Sequence, residues 1–309
     1  MQTIHSFHQS FCSNAIAEVN SRKEAAYSKI KKYSSSILLD ILIPVYNESK
    51  RMGCLREKLE ELSSIQKLNK NISFRVILAD DGSNDGTVKL ISEIIDDYPQ
   101  IPVLMSEISV RLRVAKKQQP LAICMGAAMI AGYKKALSLD PISDYIVYTD
   151  FDFSVPIWQI GEMLSGMEKG VDVIQGSRRT EDSLVLKSGK INMLGKEFIK
   201  KWKEIFPEAA KKITDTNGPL RACKTSEIPK TIKLLDKLQV YSTAFKVVSL
   251  VHMVAIRSLS YEEVGLIFLD QEFGSHFHAD EIESRKMYYL YALEDMINVA
   301  RKNIFYETD

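Results

Sequence analysis

At residue 37 the chain passes from a polar, helix-prone opening into an alternation of short apolar runs and longer amphipathic ones. The runs "ILLDILIPV" (37–45), "FRVILA" (74–79), "IPVLM" (101–105), "YIVYT" (145–149) and "VDVIQ" (171–175) are β-branched and almost continuously apolar, which predicts strands buried on both faces. Helical spacing fills the intervals, near Met52–Leu68, Asp85–Tyr98, Pro120–Leu139 and Ile157–Lys169. Strands that alternate with helices in this way predict an α/β fold with a parallel sheet and right-handed crossovers. "GSNDGT" is expected to cap the helix after the second strand, and Pro156 to open the helix after the fourth. Sheets of this kind take their ligands at the carboxyl ends of the strands.

Beyond about residue 185 the alternation is lost. Helical patterns cover Lys187–Ile205, Ser226–Leu238 and Tyr241–Arg257, followed by a strand-like "YEEVGLIFL", a loop "DQEFGSHFH" and a final helix from about Asp280 to Asn303. The expected organisation is an N-terminal helical arm (1–36), one body (37–278) and a C-terminal helix packing on it (279–309).

Composition narrows the partners. Of 309 residues 45% are hydrophobic and 26% charged, as in an ordinary soluble globular protein. With 41 Lys plus Arg against 40 Asp plus Glu, the net charge of +1 gives no field for wrapping nucleic acid, so any anion site is local. Cys12, Cys54, Cys124 and Cys223 form no CxxC pair and read as reduced thiols of a cytoplasmic protein. The N-terminus lacks the pattern of a signal peptide, and "VVSLVHMVAI" (247–256) falls well short of the ~20 residues that span a bilayer. Peripheral membrane contact is open only to the arm, whose Arg22, Lys23, Lys29, Lys31 and Lys32 outnumber Glu18 and Glu24; the other reading of that arm is a solvated helix packed on the body.

The candidate chemistry falls at the predicted strand tips. "IPVYNES" places Pro44, Tyr46, Asn47 and Glu48 after the first strand. In "ADDGSNDGT" Asn84 and Asp85 need no role beyond turn and cap, whereas Asp81 is an acceptor-only group that can take protons from a planar base or a ribose. "TDFDFSVP" offers Asp150 and Asp152 on one side of an extended segment with Phe151 turned away, a pair of oxygen ligands suited to Mg²⁺ or Mn²⁺ completed by water and substrate phosphates. An isolated DxD reads equally as a solvated acidic turn. In "VIQGSRRTED" the Arg178 guanidinium is placed to hold a diphosphate, while Arg179 reads as a surface partner of Glu181 or Asp182. No GxxxxGK[ST] and no GxGxxG after a strand is present, so a P-loop or dinucleotide site lacks support.

Together "IPVYNE", "ADDGSNDGT", "GAAMIAGYKKA", "TDFDFSVP", "QGSRR" and "DTNGPLR" resemble the family-two glycosyltransferases of GT-A fold, and most of all the dolichyl-phosphate mannose synthases and dolichyl-phosphate β-glucosyltransferases. The resemblance runs over roughly residues 37–278 and implies a Rossmann-like, mostly parallel sheet flanked by helices. It implies that Pro44, Tyr46, Glu48, Ala79 and Asp81 contact the nucleoside of a UDP- or GDP-sugar. Asp150 and Asp152 would hold metal and diphosphate, with Phe151 lining the pocket, Ser154 as a further polar neighbour of the metal and Arg178 as the arginine of "GSR". Asp215 and Arg221 match a stretch near acceptor and sugar.

Two departures stand out. Met125 replaces a lysine that such relatives carry before the corresponding helix, and "DQEFGSHF" puts Asp270 and His276 where relatives carry basic residues. His276 is therefore a candidate metal ligand or phosphate donor, with His278 as its alternate and a plain surface histidine as the other reading. The implied reaction is metal-dependent, inverting hexosyl transfer. A polyprenyl phosphate acceptor is already ionised, whereas a hydroxyl acceptor needs a base, for which Asp215 is the candidate. The rival reading is a degenerate, non-catalytic domain of the same fold that binds a nucleotide or a protein. A sugar nucleotidyltransferase fits less well, because "IPVYNES" stands where those enzymes resemble one another in a Gly-rich, lysine-bearing loop.

Overall fold

In the computed structural model, which describes residues 2–108, 125–152, 154–186, 193–269 and 292–300, two of the most apolar runs become adjacent strands. They are β1 (Ile37–Val45) and β4 (Tyr145–Thr149), paired in parallel. With β2 (Ile72–Asp80), β3 (Val103–Glu107), β5 (Val173–Ser177), β7 (Leu220–Lys224) and β8 (Tyr261–Gly265) they form a seven-stranded sheet ordered β3-β2-β1-β4-β7-β5-β8. A separate parallel pair joins β6 (Leu184–Leu186) to β9 (Ile267–Leu269).

Alternate residues of the strands feed two cores, as a period of two demands. Leu39, Ile41, Ile43, Val76, Leu78 and Val147 face one side, against α1 (Gln2–Lys32), α2 (Met52–Leu68), α3 (Thr87–Ile95) and α5 (Ile160–Glu168). Leu42, Ile77, Ala79, Ile146, Tyr148 and Val173 face the other, against α4 (Met125–Leu137), α6 (Met193–Ile205), α7 (Ile228–Lys237), α8 (Ala244–Val251) and the helical residues 292–300. Cys54 and Cys223 are free and buried, one in each core, and burial pushes both thiols up to about 11, in keeping with inert reduced cysteines.

Several expectations are corrected. The sheet is mostly parallel, as expected, but β7, which runs antiparallel between β4 and β5, was not expected as a strand. Arg221 and Lys224 break its apolar pattern; Arg221 is nonetheless buried, because its guanidinium is hydrogen-bonded throughout. "YEEVGLIFL" is two strands, since Gly265 is drawn to Asp182 Oδ2 (3.2 Å) and the chain leaves β5 for β6. No side chain of "GSNDGT" caps α3 from the cap position: Gly86, at φ +91°, precedes it, and Asp85 Oδ1 instead accepts the Thr87 N–H at 3.0 Å.

The N-terminal helix is fixed to the body. Ala26 and Ile30 are fully buried, Asn69 donates to the carbonyls of Ile30 and Tyr33 (2.7 Å each), and Ala26 lies against Gly161, where a Cβ would come within 2.9 Å of its carbonyl. Arg22 donates to the carbonyls of Asp182 and Gly265, Lys23 pairs with Glu61 at 3.2 Å and Lys29 pairs with Glu162. Three of the five cations that would attract a membrane are thus engaged within the protein. Among the described residues no helix is long and apolar enough to cross a membrane.

One buried histidine links fold to pH. His252, just beyond α8, is 2% exposed with Nδ1 3.0 Å from Thr231 Oγ1; burial first, and then Arg257, push its pKa down to about 4. The unfolded chain takes up this proton near pH 6.5 and the folded chain only near 4. The contribution of His252 is therefore complete above pH 6.5 and is lost as pH falls toward 4, by about 1.4 kcal/mol per unit. Urea unfolding between pH 8 and 4.5 should show this decline, and His252→Gln should flatten it; an equally steep decline in the variant would refute the assignment.

Candidate active site

The loops after β1 and β2 are locked together before any ligand arrives. Asn47, at φ +51°, donates its N–H to Ser83 Oγ (2.9 Å) and accepts the Asn84 N–H on Oδ1 (2.9 Å). Glu48 N–H donates to Thr87 Oγ1 at 2.7 Å, and Asp80 holds the turn by accepting the N–H groups of Gly82 and Ser83. Of the expected nucleoside contacts, Pro44 and Tyr46 are half-buried, while Ala79, Asp81 and Glu48 are buried. Pro44 lies beside Ala79 in register, Asp81 donates its N–H to the Val45 carbonyl (2.8 Å), and Glu48 pairs with Arg51 at 2.5 Å. The five therefore gather at one pair of strand tips.

At the tip of β4 the DxD segment behaves as its alternation predicts: Asp150 and Asp152 are half-buried, and Phe151 is 3% exposed and packed in the core. Phe151 thus supports the tip from beneath and does not line an open pocket. Ser154 is buried, and its N–H donates to Asp152 Oδ1 at 2.9 Å. Asp150 Oδ1 accepts from the Tyr148 hydroxyl and from Lys246 Nζ at 3.1 Å.

Beside them, at the end of β5, Arg178 grips Asp215 through Nε (2.8 Å), Nη2 (2.9 Å) and its own N–H (3.1 Å), and its guanidinium lies 5.2 Å from the Phe268 ring centre. Asp215 is 2% exposed; burial alone would raise its pKa, but Arg178 holds it below the usual carboxylate range. A carboxylate with that pKa and both oxygens engaged is a weak proton acceptor, so Asp215 serves here to position Arg178. The "DTNGP" loop passes so near β5 that a Cβ on Gly218 would lie 2.1 Å from Gln175 Nε2. Arg221 does not reach the tips: it is 3% exposed and donates to Gln175 Oε1 (2.6 Å), Ser249 Oγ (2.9 Å) and the carbonyls of Thr216 (3.0 Å) and Lys246 (2.9 Å). It ties α8 to the Asp215 loop.

Two cations escaped the sequence reading. Lys246, on α8, is 7% exposed, bonded to Asp150, with Nζ 4.8 Å from the centre of the Tyr148 ring. Lys58, on α2, is 4% exposed, within the electrostatic reach of Asp152, and its Nζ is 3.5 Å from the Val155 carbonyl. Burial pushes both ammoniums down, against the pull of Asp150 on one and Asp152 on the other. A signal for Lys246 was present, for it is the one charge within "AFKVVSLVHMVAI". Nothing marked Lys58, which stands among ordinary helical charges in "REKLEEL".

Asp150 and Asp152 retain hard oxygen donors, a set that fits a divalent cation held by one or two carboxylates and otherwise by water and phosphate. A closed protein cage is not what they form: among the described residues no three His, Cys, Asp or Glu come together to hold a metal ion. His276, His278 and Asp270 lie outside the described residues. Met125 opens α4 with its side chain half-buried.

A mostly parallel seven-stranded sheet flanked by helices, with a DxD at the tip of β4, has the architecture of a GT-A protein. The chain belongs to glycosyl transferase family 2, whose model matches residues 40–226. It is 30% identical over 159 residues to an undecaprenyl-phosphate 4-deoxy-4-formamido-L-arabinose transferase of Pectobacterium atrosepticum, covering 50% of this chain and 42% of that protein. A dolichol-phosphate mannosyltransferase of Pyrococcus furiosus is 28% identical over 154 residues, 50% of this chain and 35% of that one. This chain thus spans less than half the length of these relatives. In three dimensions it is similar to glucosyl-3-phosphoglycerate synthase of Mycobacterium tuberculosis, solved with Mn²⁺, UDP and glucosyl-3-phosphoglycerate, at a TM-score of 0.51 and 13% identity, over 86% of this chain and 83% of that one.

Proposed function

We propose that this chain transfers a hexose, with inversion at the anomeric carbon, from a UDP- or GDP-sugar to a polyprenyl phosphate, its catalytic unit being residues 37–278. The observation that carries the reading is the pair Asp150 and Asp152, both presented beside buried Phe151 at the carboxyl end of β4, with Asp150 within electrostatic reach of the Asp215-bound Arg178. Tyr46, Glu48 and Asp81, beside Pro44 and Ala79, receive the nucleoside. Arg178, held rigid by Asp215, faces the diphosphate and stabilises the charge that grows on it as the glycosidic bond breaks. Asp150 and Asp152 would hold a Mn²⁺ or Mg²⁺ ion, with Ser154 and His276 as further neighbours, and that ion would supply Lewis-acid stabilisation of the leaving group.

The commitment of Asp215 to Arg178 favours the phosphate acceptor, because an ionised phosphate oxygen attacks without a base. Both relatives named above act, by their names, on lipid phosphates. This acceptor requires contact with a membrane surface.

Slow hydrolysis of UDP- and GDP-sugars with Mn²⁺ present gives the test. Wild type should release nucleoside diphosphate from one donor class, and Asp152→Ala should lower the rate by about 10²–10³-fold. Turnover that survives this change intact would exclude the DxD as the donor site; absence of donor binding in the wild type would leave the non-catalytic reading in its place.

A further inference from the structure

Lys246 is an expensive residue to keep where it is. Burying an ammonium costs several kcal/mol unless partners compensate. Here the compensation is partial: among the described residues one hydrogen bond, to Asp150 Oδ1 at 3.1 Å, and the face of Tyr148. An ammonium has three N–H donors. Nor does Asp150 need an interior counter-ion, since its side chain is 30% exposed at a strand tip. A methionine would fill the same volume in the apolar face of α8 without the desolvation cost. A lysine placed against Asp150 is explained by what Asp150 faces.

The charges around the tip show what that is. Arg178 is matched by Asp215, and Asp150 and Asp152 are matched by Lys246 and Lys58, so these six groups sum to zero. Without Lys246 the same ground would carry a net negative charge and repel a diphosphate. Lys246, on α8, also lies within electrostatic reach of Arg178, which follows β5. Arg221 fixes this geometry from behind by accepting nothing and donating to the Lys246 carbonyl at 2.9 Å.

We infer that Lys246 is a catalytic residue of this site, a fixed cation that donates a hydrogen bond to the diphosphate of the sugar donor and partners the leaving group. The inference rests on the donor-binding function proposed above. During transfer the anomeric C–O bond to the diphosphate breaks, its electron pair stays on the departing β-phosphate oxygen, and the acceptor phosphate oxygen forms the new C–O bond. Lys246 keeps its proton throughout and contributes charge and a hydrogen bond only. Because that cation is part of the chain, the site should retain a preference for nucleoside diphosphate over monophosphate with no divalent metal present.

Calorimetric titration of the full chain with UDP, GDP, UMP and GMP, in EDTA and again in Mn²⁺, tests this. Wild type in EDTA should bind its diphosphate more tightly than the matching monophosphate. Lys246→Met should weaken the diphosphate by about 10–100-fold, the value of a charged hydrogen bond, and leave the monophosphate unchanged, while Lys246→Arg should recover most of the loss. A folded Lys246→Met that binds the diphosphate as wild type does overturns the inference and leaves the donor function standing. A wild type that binds no nucleotide in either buffer removes the donor function itself. Should Lys246→Met fail to fold, the lysine ¹⁵Nζ resonances of the wild type, assigned with Lys246→Arg, decide instead. The Lys246 signal must move with diphosphate and not with monophosphate, and a stationary signal refutes the contact.

Discussion

Arg178→Gln is expected to cost the fold about 3–5 kcal/mol and to lower sugar transfer by about 10²–10³-fold, and the two losses should be separable. Arg178 closes on Asp215 with three hydrogen bonds while Asp215 is 2% exposed. Removing the guanidinium leaves a buried carboxylate with no cation, and that orphaned charge dominates the stability loss. Asp215→Asn added to Arg178→Gln replaces the charge by a neutral amide that fits the same space. The double variant should therefore regain most of the stability and none of the turnover, because nothing has been returned to the diphosphate. Urea midpoints with unchanged m values measure the first half, and initial rates with a polyprenyl phosphate acceptor measure the second. Recovery of the rate along with the stability would mean that Arg178 only props the loop and that the leaving group is stabilised elsewhere.

Asp215→Asn alone gives the converse. Arg178 would keep its charge but lose the partner that fixes its direction, so binding of donor should suffer less than turnover. A general-base role for Asp215 predicts the same loss of turnover with stability hardly moved, whereas its pairing with buried Arg178 predicts that stability falls as well.

What the sequence disclosed follows the physics of burial. The limits of β1, β4 and α2 match their expected ranges, since each is a long or strongly patterned apolar segment bounded by polar breaks. β7 was hidden because its buried face includes Arg221, whose acceptance into the interior depends on Gln175, Thr216, Lys246 and Ser249, residues 5 to 46 positions away. The acidic half of the site was legible, because carboxylates at strand tips are conspicuous. Its basic half was not: Lys58 and Lys246 ride on helices, where a lysine ordinarily reads as a solvent-facing residue, and only the packing of α2 and α8 brings them to the DxD.

The largest purely structural effect is expected at the other end of the strands. Asp40 on β1 is fully buried and lies opposite Arg75 on β2 in register. It accepts Nε at 2.7 Å, Nη2 at 3.0 Å and the Ser143 hydroxyl at 2.8 Å, while Arg75 also donates to the Pro141 carbonyl at 2.8 Å. Asp40→Ala leaves the guanidinium without its counter-ion and should cost about 3–5 kcal/mol, a large share of the roughly 5–15 kcal/mol by which domains are stable. Asp40→Leu with Arg75→Met removes both charges at similar volume and should be close to neutral, or more stable than wild type. The pair sits in the amino-terminal halves of β1 and β2, away from the tips that carry Glu48 and Asp81, so nucleotide affinity of the folded double variant should equal that of wild type. Reduced affinity in that variant would show that the Asp40–Arg75 pair sets the register that aligns the tips of β1 and β2, Glu48 and Asp81 included. Its role would then extend from holding two strands together to placing the nucleoside.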